Sequence, residues 1–336
     1  MKSLHALPKT DLHVHLDGSM RLETVIELAC ALPADQRLVP LASIPDAVRP
    51  PERCSLEEYL RAFSITVSVL QTQHALERAT YELCADAAAE NVAYMEIRFG
   101  PLLHTEQGLT PRAVVEAVLS GVRQARADYA IAVGIILAAL KNESTERSME
   151  VAQLAAQFAG KGVVAFDLAG PEQGFSPRLH REAIEFVHAA GVHLTLHAGE
   201  GCCPEHIREA LDLGAERIGH GVYLYQNPKT EERVAETGIP LEVCPTSNLQ
   251  ISGVLDTYAD HPLKRYLDLG IPVTLNTDNR LMSATSMTQE YERIVEAFSL
   301  TGDTVRTLAE NGVRAAFVER EVKAALQKSI TAFFAA

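Results

Sequence analysis

The sequence predicts an α/β fold of the TIM type, a (β/α)8 barrel, on three observations. Eight short apolar runs alternate with longer stretches of helical period, the pattern of repeated βα units around a parallel sheet. No low-complexity segment or long linker divides the 336 residues, so residues 1–336 read as one domain. Polar, chemistry-bearing residues cluster at or just past the carboxyl ends of the runs, where such barrels place their active sites. A doubly wound open sheet is the alternative. It would not so naturally bring the first, fifth, sixth and eighth strands to one point.

The expected strands are Asp11–Leu16, Val92–Phe99, Ile131–Leu137, Val163–Leu168, His193–His197, Arg217–His220, Leu241–Cys244 and Pro272–Asn276. Helical patterns lie between them. Glu205–Leu213 sets Ile207, Ala210 and Leu211 on one face, with Gly214 as its stop. The connection after the first strand is long, from about Arg21 to Arg78, and Leu56, Tyr59, Leu60 and Phe63 are spaced as one helix face. That face can pack on the barrel, and part of it can cover an apolar pocket above the strand ends. The insertion is therefore expected to act as a lid.

A net charge of −14, from 30 basic and 44 acidic residues, argues against nucleic acid or an anionic membrane as partner. The composition, 47% hydrophobic and 22% charged, is that of an ordinary globular protein. Cys30, Cys54, Cys84, Cys202, Cys203 and Cys244 form no C-x-x-C pair. They are expected to be reduced and mostly buried, with Cys202–Cys203 serving as packing. The opening MKSLHALPKTD has no apolar core of a signal peptide. The longest apolar run, Ile131–Leu140, is about half of the roughly 20 residues a membrane span needs. A cytoplasmic location is expected.

Four segments carry the chemistry: LHVHLDGS, LTLHAGE, RIGHG and VTLNTDN. His13 and His15 alternate by two, so both face one side of a strand. H-x-H alone is a weak signal. His197 at the end of the fifth strand and Asp278 at the end of the eighth complete a nitrogen/oxygen set that leaves room for water on a divalent metal. Taken alone, Asp278 in N-T-D-N reads as a turn residue. Glu200, three residues past His197, suits a proton shuttle if burial raises its pKa; alone it is an acid stabilised at a helix N-terminus. His220 stands between Gly219 and Gly221, which allow close backbone approach. It can hold or deprotonate the water; alone it reads as a buried, hydrogen-bonded histidine. The combination points to metal-assisted hydrolysis. The other eight histidines, His5, His74, His104, His180, His188, His193, His206 and His261, lack such context and read as structural or exposed.

Together and in order, HVHLDGS, DLAGPE, LTLHAGE, RIGHGV, CPTSN and TLNTDN resemble the adenosine deaminase family of the amidohydrolase superfamily, from about Leu7 to the C-terminal helices. The resemblance implies one catalytic Zn2+ per chain in a (β/α)8 barrel. It also implies conversion of adenosine or 2′-deoxyadenosine to inosine or 2′-deoxyinosine with release of ammonia, by metal-bound hydroxide attack at purine C6. His13, His15, His197 and Asp278 would hold the zinc. Glu200 would give a proton to purine N1, and His220 would orient the hydroxide. His15, Asp17, Gly170 and Asn279 would meet the nucleoside: Asp17 at a ribose hydroxyl, the Gly170 N–H at N3 and Asn279 at N7. Many members carry a second aspartate where this chain has Asn279; an amide can donate N–H to an unprotonated N7 directly.

The expected partner is a small-molecule purine nucleoside. Free adenine or aminodeoxyfutalosine is the alternative substrate. Relatives acting on free adenine tend to resemble H-x-H-x-E-G, whereas Asp17 in HLDG favours a nucleoside and would oppose a phosphate. A non-catalytic relative would lack Glu200, His220 or a ligand, and none is missing.

Overall fold

The computed structural model describes residues 3–251 and 255–335. Eight parallel strands lie in chain order: β1 (Lys9–His15), β2 (Val92–Phe99), β3 (Ala132–Leu140), β4 (Val163–Ala169), β5 (His193–Ala198), β6 (Arg217–His220), β7 (Leu241–Val243) and β8 (Val273–Leu275). All eight expected strands are present. β3 runs further than expected, because Ala138, Ala139 and Leu140 pair with Asp167, Leu168 and Ala169 of β4.

The ring closes between the last strand and the first. Val14 bridges Asp278; the His15 N–H donates to the Asp278 carbonyl at 2.7 Å and the Asp278 N–H to the His13 carbonyl at 2.8 Å. The Leu12 N–H donates to Asn276 Oδ1 at 2.8 Å. Asp278 is thus stitched to both candidate ligands of β1 by backbone.

Each strand splits its side chains between two environments. Leu12, Val14, Ile97, Phe166, Leu194, Leu196, Ile218, Leu241 and Val273 join the apolar core shared with the surrounding helices. Between them stand buried polar residues that bond to one another. Arg98 on β2 donates to Asp167 on β4 and to Glu242 on β7. Arg217 on β6 pairs with Glu96 and Glu242, and Thr195 on β5 donates to Glu242. Charged groups this deep persist only when paired and hydrogen-bonded, and here five strands supply the partners.

The β1–β2 connection holds the helices Leu22–Ala31, Leu56–Arg61, Phe63–Val69 and Gln73–Ala89. The expected single helix over Leu56–Phe63 is two short ones meeting at Ala62. Ser55 starts the first with a capping box closed by Glu58. The expected helix after β5 spans Pro204–Asp212, and Gly214 follows it at φ +84°.

Candidate active site

Every candidate from the sequence converges on the carboxyl end of the barrel. His13 and His15 lie on β1 and His197 on β5. His220 ends β6 at φ +65°, and Asp278 follows β8 at φ +59°. Two non-glycine residues in the left-handed region at one site mark backbone held by its surroundings. His15 Nε2 stands 3.2 Å from His197 Nε2 and 3.4 Å from Asp278 Oδ1, and His13 Nε2 stands 3.5 Å from the same oxygen. N and O ligands about 2 Å from a tetrahedral metal lie about 3.3 Å apart. The His15–His197 approach is therefore that of two ligand atoms aimed at one point.

The far sides of the rings support that reading. His13 Nδ1 contacts Glu242 Oε2 at 2.8 Å, and His197 Nδ1 contacts Asp167 Oδ2 at 2.8 Å. A proton on each Nδ1 leaves Nε2 bare and pointing inward. His13 Nε2 is buried without a hydrogen-bond partner among the described residues. Burial opposes ionisation of both carboxyls, yet His197 and Arg98 hold Asp167 well below the usual range. Arg98 and Arg217 do the same for Glu242. Ser247 hydrogen-bonds Asp278 Oδ2. The residues present fit a divalent cation with nitrogen and oxygen ligands.

Across this cluster, Glu200 Oε1 lies 3.5 Å from His220 Nε2. Burial, then the nearby Asp278 charge, raises the Glu200 carboxyl well above its ordinary range. Burial, then His13, lowers His220 well below the usual imidazole range. One group thus tends to keep its proton and the other to lack one. Asn248 holds His220 Nδ1 at 3.0 Å and in turn contacts His261 Nε2 at 3.3 Å.

His15, His197, Glu200 and Asp278 line a cavity of about 710 Å³, together with Asp17, Gly170 and Asn279. Asp17 is 3% exposed and its Oδ1 has no hydrogen-bond partner among the described residues; burial pushes its pKa up to about 7. A Cβ on Gly18 would fall 1.8 Å from Asn279 Oδ1. The glycine of HLDG therefore makes room for the Asn279 side chain.

Leu60, Phe63, Val67 and Leu103 supply apolar wall. Leu56 and Tyr59 of the same short helices are buried in a small cluster with Ile251 and Met282. Along that helix face, Leu60 and Phe63 line the cavity, Leu56 packs in the cluster, and Tyr59 does both. Tyr59 Oη meets Ser283 Oγ at 2.9 Å, tying the helix to the segment after Asp278.

Two sequence expectations need correction or extension. Cys202 and Cys203 are joined by a disulfide, not reduced packing. Cys203 takes a left-handed backbone (φ +61°) that turns the chain into the helix Pro204–Asp212, and the two sulfurs meet at that turn. The remaining four cysteines are free. Sequence reasoning also missed Arg98, Asp167, Glu242, Ser247, Asn248 and Glu172. For the first three the available signal was a charge set alternately within an apolar strand, as in YMEIRF and VAFDLA.

A barrel with this His/Asp cluster at the carboxyl ends of its strands has the architecture of the amidohydrolase superfamily. Within it, the chain belongs to the adenosine deaminase family, whose model matches residues 8–333. It is 40% identical over 326 residues to an adenosine deaminase of Clostridium perfringens, covering 96% of this chain and 98% of that one. Among solved structures it resembles an adenine deaminase from Arthrobacter aurescens (TM-score 0.89, 27% identity, 98% of this chain and 100% of that chain). It also resembles a zinc-bound amidohydrolase from Burkholderia ambifaria (TM-score 0.88, 25% identity, 99% and 92% covered).

Proposed function

We propose that residues 1–336 act as a single cytoplasmic domain that hydrolyses adenosine and 2′-deoxyadenosine to inosine and 2′-deoxyinosine with release of ammonia. The observation that carries the reading is the pairing of Glu200 and His220, 3.5 Å apart, across a convergent His/Asp cluster at the floor of a cavity. Membership in the adenosine deaminase family supplies the substrate class.

His13, His15, His197 and Asp278 would hold one zinc, the ion carried by the Burkholderia relative. When bound, such an ion lowers the pKa of water to about 7. This chain's residues do the rest. The purine enters with C6 toward the cluster. Glu200, kept protonated by burial, donates to N1, so the ring accepts electrons as C6 is attacked. His220, kept neutral, aligns the attacking oxygen and takes its proton. His220 passes that proton to the amino group, which leaves as ammonia as the C6–N bond breaks, and the C6 hydroxyl proton returns to Glu200, so adenosine plus water gives inosine plus ammonia. Asp17 accepts from a ribose hydroxyl, the Gly170 N–H meets N3, and the Asn279 amide meets N7. The short helices Leu56–Arg61 and Phe63–Val69 act as the lid that keeps bulk water out.

The test is ammonia release from adenosine by three chains. His197→Ala should lose its metal. Glu200→Gln should keep metal and fold but fall about 10²–10⁴-fold in turnover, the usual worth of a general acid. Wild-type turnover in Glu200→Gln, or full metal in His197→Ala, would refute these assignments.

A further inference from the structure

Glu172 reaches the site without entering it. It ends the DLAGPE segment two residues past Gly170, is 1% exposed, and receives four consecutive backbone N–H groups. Gly199 donates to its Oε1 at 2.7 Å, and Glu200, Gly201 and Cys202 donate to its Oε2 at 2.9, 2.9 and 3.2 Å. Four successive amides aimed at one carboxylate belong to neither strand nor helix; they form a concave nest around an anion. Charge-assisted hydrogen bonds of this kind are the strong ones. Gly199 shapes the nest, since at φ +67° it turns the chain and a Cβ there would fall 2.5 Å from Ile207.

The charge of Glu172 is matched from beneath. Lys141, just past β3 and 1% exposed, places Nζ 3.9 Å from Glu172 Oε1, and His206 Nδ1 lies 3.9 Å from the same oxygen. Neither nitrogen has a hydrogen-bond partner among the described residues. A buried ammonium aimed at a buried carboxylate points to charge compensation.

We propose that Glu172 is a positioning residue: it fixes the backbone at Glu200 so that the Glu200 carboxyl is aimed at purine N1. Because Gly170 and Glu172 belong to one short segment, the N–H that meets N3 and the anchor of the N1 proton donor move together. The segment thus sets the spacing between the two contacts across one ring. The inference rests on Glu200 being the proton donor.

Glu172→Gln tests it. The amide turns one acceptor into an NH2 group that faces N–H donors. A misplaced reacting group can cost about 10²-fold, so kcat should fall about that much. KM for adenosine should stay within a factor of about three, with metal content unchanged. Added to Glu200→Gln, the substitution should cost almost nothing further, because its effect runs through Glu200. A folded Glu172→Gln enzyme with wild-type kcat overturns the proposal, as does an equal further loss in the Glu200→Gln background. If Glu172→Gln does not fold, Glu172→Asp carries the test; its carboxylate is one methylene short of reaching all four amides, and about a tenfold loss in kcat is expected. Failure of both variants to fold assigns Glu172 to stability and also overturns the proposal. Wild-type turnover in Glu200→Gln alone is a different result: it removes the proton donor on which the inference stands.

Discussion

Asp17 is a carboxyl with an unmet need. It is buried, its Oδ1 finds no donor among the described residues, and it faces the cavity. A ribose hydroxyl would satisfy it, and free adenine would not. Leaving such a group unpaired costs about 1–3 kcal/mol, worth roughly 5- to 150-fold in preference. We therefore expect Asp17→Ala to weaken kcat/KM for adenosine more than for adenine, shifting the preference by about that factor. A wild-type enzyme faster on adenine than on adenosine would reverse this assignment. The candidate ligands were legible in the sequence because each interrupts the end of an apolar run. Their supports were not. Glu242 contacts His13 from 229 positions away, and Asp167 contacts His197 from the neighbouring strand 30 positions before it; no local spacing signals a side-chain contact between strands.

Between elements, first motif and last motif interlock. Gly18 follows β1, Asn279 follows β8, and the Asn279 side chain occupies the space a Gly18 Cβ would need. Gly18→Ala should push Asn279 off the purine side of the cavity while leaving His13, His15 and Asp278 bonded by backbone. We expect a rise in KM of about tenfold with metal retained, since one hydrogen bond to the ring is worth about 1.5 kcal/mol. An unchanged KM would mean that Asn279 does not meet the substrate. Strand positions were legible from apolar runs bounded by turn residues. The break at Ala62 was not, because Leu56, Tyr59, Leu60 and Phe63 keep helical spacing straight through it.

For the whole molecule, burial of histidines makes stability depend on pH. His104 is fully buried, with Nδ1 3.0 Å from the Leu70 carbonyl, and desolvation pushes its pKa down to about 4. The unfolded chain takes that proton near pH 6.5. The stability from a neutral His104 is thus complete above about pH 6.5. It is lost as the pH falls toward 4, on the order of 3 kcal/mol in all. Denaturant midpoints measured from pH 7 to 4.5 should fall less steeply in His104→Gln than in the wild type. Parallel curves would show that His104 is protonated in the folded state. The barrel itself was legible because eight βα repeats and a single cluster of strand-end residues fit few other topologies; which histidines inside it stay neutral depends on packing that only the fold supplies.

The seam between β1 and β8 also has a consequence in time. The Leu12 amide and the Asn276 side chain that receives it are 264 positions apart, and His13 and Asp278 straddle the same seam. Chains are made from the amino end at about 5–20 residues per second. His13 and His15 therefore wait on the order of 10–50 s for Asp278 to be made. In the proposed ligand set, Asp278 joins His13 and His15 only across this seam between distant parts of the chain, so the set would be complete only when the ring shuts. Refolding followed by circular dichroism should show early phases of equal rate with zinc or with chelator present, and deaminase activity should appear only after the slowest phase. Faster early phases with zinc would mean that the ion is captured before the ring shuts. On this reading, metal capture is the last act of assembly, and a newborn chain passes most of its synthesis as a ring still open at the point where its chemistry will later reside.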